Sequence, residues 1–106
     1  RDEISIFIAS GGPPLTFRLL PNFPNPFNSV TTIPFYSESG NSAKISITDV
    51  IGREIVVFEK KNIVRGYNEV SWNGIDKSGS KAASGIYLYE VVVGPGSGSN
   101  RMIFLK

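Results

Sequence analysis

Asp49 and Asp76 are the carboxylates best placed to do chemistry, and both sit in turn-rich segments: Asp49 before the Gly52 turn, Asp76 within Asn73-Gly74-Ile75-Asp76-Lys77-Ser78-Gly79. The chain has no Cys and no His. That removes thiolate zinc sites, disulfides, the commonest general base and the commonest transition-metal ligand. Carboxylates are then the general acids and bases left. Glycoside hydrolysis needs two of them about 5–9.5 Å apart across a cleft, and nothing in the sequence pairs Asp49 with Asp76 that way. Both positions suit Asx turns, in which the side chain accepts from nearby backbone amides. An EF-hand loop counted from Asn73 would need Glu at its twelfth position and finds Ser84. Asp76 is left as a lone candidate for an irregular calcium site, and no cofactor is expected. The one Ser-x-x-Lys spacing, Ser78 to Lys81, falls in a Gly-bounded turn. No catalytic residues are assigned, and the chain is expected not to be an enzyme.

A platform of aromatic rings could bind carbohydrate. Trp72, Tyr87 and Tyr89 have the right chemistry, but their positions in alternating patterns assign them to a core face. Tyr36 and Tyr67 are looser candidates.

The elements that must carry these residues read as strands. Ala43, Ile45 and Ile47 alternate with Lys44, Ser46 and Thr48. Asn68, Val70 and Trp72 share one face of the next strong segment, and Tyr87, Tyr89, Val91 and Val93 share one face of another. Further strands are expected at 3–9, 16–20, 31–36, 54–59 and 100–105, separated by Gly-, Asn- and Pro-rich turns. Seven or eight short strands spaced about ten residues apart indicate an all-β, immunoglobulin-like antiparallel β-sandwich of about seven strands. Pro34 lacks the N–H that a ladder needs, which places its strand at an edge or a bulge. The run Gly94-Pro95-Gly96-Ser97-Gly98-Ser99 reads as a long hairpin loop.

At 106 residues, 41% hydrophobic and 19% charged, the chain fits one globular domain. Residues 1–14 are expected to be a linker or the last strand of a preceding domain, and 15–106 the sandwich. A net charge of +2 with interspersed signs gives no basic stripe for nucleic acid, and no apolar run is long enough for a transmembrane segment. The only Met is Met102, so the chain is expected to be a piece or processed product of a larger protein.

The most distinctive segment is Pro21-Asn22-Phe23-Pro24-Asn25-Pro26-Phe27-Asn28. Its prolines fix φ and exclude helix, its two Phe rings are expected to pack down, and its Asn side chains can bond adjacent backbone. The segment would strap one end of the sandwich. With the blocks at 48–55, 70–79 and 83–89 and the closing Arg101-Met102-Ile103-Phe104-Leu105-Lys106, it resembles the C-terminal sorting domains (type A) of type IX secretion system cargo. It is also similar to the immunoglobulin-like domain of flagellar hook-capping proteins. The residues that carry the resemblance are Pro21, Asn22, Pro24, Asn25, Pro26, Phe27, Asn28, Gly52, Trp72, Gly74, Asp76, Gly79, Gly85 and Tyr87.

The resemblance implies a non-catalytic module that directs a larger protein through the periplasm and across the outer membrane to the cell surface or medium. Its partners would be the outer-membrane secretion machinery, a sortase-like peptidase and an N-terminal cargo domain of the same protein. Arg101, Met102, Ile103, Phe104, Leu105 and Lys106 would be the sorting signal, a terminal strand open to pairing along its edge. The alternative is a structural or carbohydrate-binding accessory domain of a secreted hydrolase.

Overall fold

A computed structural model describes residues 17–38 and 42–106. The strand expected at 3–9 and the linker reading of 1–14 lie outside the described residues. The strands are β1 (Phe17–Leu19), β2 (Thr31–Ser37), β3 (Ser42–Asp49), β4 (Glu54–Lys61), β5 (Gly66–Trp72), β6 (Gly85–Val93) and β7 (Gly96–Phe104). They form a three-stranded sheet, β1-β2-β5, and a four-stranded sheet, β4-β3-β6-β7. Every strand pairing is antiparallel. This is the sandwich the alternation indicated.

The period-two pattern places the core. Ala43, Ile45, Ile47, Val70, Trp72, Tyr87, Tyr89, Val91 and Val93 are all buried between the sheets, joined by Ile33, Phe35, Met102 and Phe104. Alternate residues point outward because successive side chains of a strand leave opposite faces. Asn68 is also buried, and its amide is satisfied by the β4–β5 connection: Oδ1 accepts from Val64 N at 2.8 Å, and Nδ2 donates to Val64 O and Gly66 O.

Three expectations are corrected. Pro34 stands in β2, the central strand of its sheet, and the β2–β5 register runs unbroken past it. Leu20 N donates to Pro34 O at 3.0 Å, so the donor-less proline nitrogen is turned toward the side where β1 has just ended. There the Tyr89 hydroxyl reaches Leu20 O at 3.4 Å. The proline sits at the one place where the neighbouring strand has given out.

The Gly/Ser run is strand rather than loop. Only Gly94 and Pro95 lie between β6 and β7, and Gly96 and Gly98 are in register with Val93 and Val91. Both glycines face β1. A Cβ on Gly96 would stand 2.5 Å from Phe17 Cβ, and one on Gly98 would stand 3.0 Å from Leu19 Cβ. The glycines permit a close approach that closes this flank of the sandwich.

Of the two strap rings, Phe27 packs into the core while Phe23 is 50% exposed. Phe23 instead contributes backbone: its N–H donates to Thr32 O at 2.9 Å and its carbonyl accepts from Thr32 N at 2.8 Å. The Phe23–Pro24 and Asn25–Pro26 peptide bonds are cis.

Candidate functional site

The strap and the terminal strand meet in one seam. Phe27 N donates to Ile103 O at 3.0 Å, Leu105 N donates to Phe27 O at 2.8 Å, and Phe27 and Phe104 form a parallel bridge. Asn25 Oδ1 accepts from Ile103 N at 2.9 Å, and Lys106 N donates to Ser84 Oγ at 2.8 Å. The outer edge of β7 from Ile103 onward is therefore already paired. The edge expected to be open to a partner is covered by the strap.

Beneath the seam lies an aromatic cluster. Phe27 stacks on Phe104 with centroids 4.9 Å apart and meets Trp72 edge-on at 5.8 Å. Trp72 also meets Tyr87 at 5.7 Å and 72°. Edge-to-face and offset arrangements suit the ring quadrupoles. Trp72 is 3% exposed, and its Nε1–H donates to Ile75 O at 2.9 Å. Gly74 has φ +79°, and a Cβ there would come 2.8 Å from Phe104 Cζ, so only glycine fits between the turn and the ring. The Tyr87 hydroxyl donates to Ala83 O, tying the start of β6 to its incoming loop in the manner of a tyrosine corner.

At the strap's other end, Asn22 is buried. Its backbone N–H donates to the Tyr89 hydroxyl at 3.1 Å, and its Nδ2 donates to Thr31 Oγ1 at 2.9 Å. Thr31 in turn donates to Pro24 O. Burial raises the Tyr89 hydroxyl above its ordinary pKa, against the Asn22 hydrogen bond.

The structure thus unites Asn22, Asn25, Phe27, Trp72, Gly74, Tyr87 and Phe104. Pro21, Pro24, Pro26 and Asn28 are exposed and shape the strap's path. Gly52 (φ +92°) and Gly79 (φ +90°) serve the β3–β4 and β5–β6 turns. Gly85 opens β6 opposite Phe104. Within the terminal segment, Met102 and Phe104 are buried, and Arg101, Ile103, Leu105 and Lys106 face outward.

Asp49 and Asp76 flank a cleft of about 550 Å³ beside the seam, and each is engaged by its own turn. Asp49 Oδ1 accepts from Ile51 N and Arg53 N, and Arg53 Nε reaches Oδ2 at 2.8 Å. Burial works upward on the Asp49 pKa, and the hydrogen bonds from Arg53 and Ile51 outweigh it, leaving the group below its ordinary value. Asp76 Oδ1 accepts from Ser78 Oγ at 2.7 Å, Ser78 N at 2.9 Å and Ser80 N at 3.0 Å. The Ser78 hydroxyl, then the Ser80 amide, hold Asp76 below its ordinary value. Among the described residues no three metal-ligating side chains gather. Trp72, Tyr87 and Tyr89 lie in the core, so none of them offers a ring to a sugar. No helix among the described residues is long and apolar enough to cross a membrane.

Two layers of antiparallel strands, a core tryptophan and a tyrosine tied at the strand corner define an immunoglobulin-like sandwich. Residues 27–97 match the FlgD Ig-like domain family, and the chain belongs to it. No curated protein sequence matches the chain. Among solved structures it is similar to the dimeric latent PorU of Porphyromonas gingivalis, at 24% identity and a TM-score of 0.66, over 90% of this chain and 10% of that one. It is also similar to PorZ of the same organism, described as an essential bacterial surface component of its type IX secretion system. That likeness is 25% identical with a TM-score of 0.59, over 83% of this chain and 11% of PorZ. The chain spans about a tenth of each of these proteins.

Proposed function

We propose that this domain is a non-catalytic C-terminal sorting module of type A. It directs a larger protein through the periplasm and across the outer membrane by a type IX secretion system, leaving it at the surface or in the medium. The observation that carries the reading is the seam: the strap of residues 21–28 and the terminal segment of residues 101–106 are hydrogen-bonded to each other. The likeness to PorZ, a surface component of a type IX secretion system, supports it. On this reading the partners are the outer-membrane machinery, a sortase-like peptidase and an N-terminal cargo domain. The carboxylates, engaged by their own turns, serve structure.

The test is export. The 106-residue chain is placed behind a signal peptide and a reporter, in a host with a type IX system and in one whose translocon has been deleted. The reporter is expected at the surface or in the medium of the first host and in the periplasm of the second. Lys106→Glu, at an exposed position, should reduce export without changing the melting temperature. Equal export in both hosts, or equal export of a reporter lacking the domain, would overturn the sorting role.

A further inference from the structure

A partner could approach the hairpin β6–β7 from three sides; among the described residues one of them is closed and a second is covered at both ends. The inner face is core, with Met102 and Phe104 fully buried. The outer edge of β7 is paired with the strap at Ile103 and Leu105 and approached by β1 at Gly96 and Gly98. The outer face remains. On it Ile86 stands directly opposite Ile103, and Leu88 opposite Arg101. Ile86, Leu88, Ile103 and Leu105 are 38–51% exposed. Ile86 also lines the end cleft with Val50 and Ile51, which are exposed as well. These six side chains place much of the domain's exposed bulky apolar surface at one end. Contiguous apolar patches on soluble domains mark interaction surfaces.

The charges at this end say what would cover it. Arg53 is paired with Asp49, and Lys77 with Glu54. Arg101 and Lys106, at the border of the patch, are in no ion pair among the described residues. The outward carboxylate of β6, Glu90, lies farther along, opposite Ser99. An apolar face with unpaired cations at its border complements a protein surface of apolar side chains rimmed by carboxylates.

We propose that the sorting receptor reads the outer face of the folded β6–β7 hairpin rather than the edge of β7, and that the receptor surface is apolar with a carboxylate rim. This rests on the sorting reading.

The same full-chain reporter fusion tests it. Arg101→Glu, and separately Leu88→Thr with Ile103→Thr, alter the outer face while leaving the core side chains in place. Purified variants should keep the blue-shifted Trp72 emission of the folded chain, and in the host their exported fraction should fall by about tenfold or more, as like-charge juxtaposition and a lost apolar contact require. Arg101→Lys, which keeps the charge, should retain export. Export of both face variants at the level of the intact chain would overturn the proposal while the sorting role stands. An intact fusion held in the periplasm would remove the sorting role and this proposal together.

Discussion

Phe27 and Phe104 stack at 4.9 Å across the parallel bridge that joins the strap to the last strand. The contact fixes the strap from inside while Ile103 and Leu105 fix it from outside. Phe27→Ala should therefore destabilise the domain by about 3–5 kcal/mol, the range for deleting a buried aromatic ring. A double-mutant cycle with Phe104→Leu should show coupling of about 0.5–1.5 kcal/mol. Urea unfolding measures both, and additive losses would show that the stacking adds nothing beyond burial.

Trp72 is the only tryptophan, so intrinsic fluorescence reports its site directly. Emission should be blue-shifted in the folded chain and move to the red on unfolding. Trp72→Phe retains a ring but leaves Ile75 O without its donor, and should cost about 1–3 kcal/mol. A water-like emission maximum in the folded chain would contradict the burial.

Gly96→Ala tests the close approach of β7 to β1. The added Cβ meets Phe17 Cβ at 2.5 Å, so one side must shift, at about 1–3 kcal/mol for an overpacked contact. Ser97→Ala, on the next residue, should stay within about 0.5 kcal/mol. Equal melting temperatures for the two variants would show that the flank is loosely packed.

The turn carboxylates set a pH dependence. Asp49 and Asp76 are both lowered from the ordinary value of 3.8, so the folded state binds their protons less readily than the unfolded chain does. Their contribution is fully present above about 3.8 and is lost as pH falls through the lower folded values. Melting temperature should decline below pH 4, and Asp49→Asn with Asp76→Asn should flatten that decline. An unchanged profile would mean that other carboxylates govern the acid limb.

Millimolar calcium should leave the melting temperature unchanged, because Asp76 Oδ1 already accepts three hydrogen bonds from its own turn. A bound ion would stabilise the folded state by mass action. A chelator-reversible rise of several degrees, lost in Asp76→Ala, would make Asp76 a ligand.

Side-chain alternation made the sandwich legible, because a half-buried strand writes its inner face at every second residue. Trp72, Tyr87 and Tyr89 could be placed inward from that signal, and the Asp49 and Asp76 turns from local Asx chemistry. Gly96 and Gly98 could not be read so. A glycine in a strand has no side chain to show its face, and its reason is a neighbour, Phe17, far away in the chain. Pro34 misled for a related cause. Its tolerance depends on which flanking strand has ended, and that is a fact about Leu20 and not about the strand containing Pro34. The seam was hidden most completely, since Asn25 and Ile103 are 78 residues apart and neither carries a local pattern that names the other.

The glycines of β7 and the ring of Phe104 have a temporal consequence. Until β7 is present, Phe17 and Leu19 lack the glycine backbone they pack against on that flank, Phe27 lacks the ring it stacks upon, and Gly74 guards an empty space. A chain cut before Gly96 keeps the other six described strands and loses the piece that closes both the flank and the aromatic end. The native fold thereby acts as a completeness check on β7: the sandwich closes only once that strand has been made.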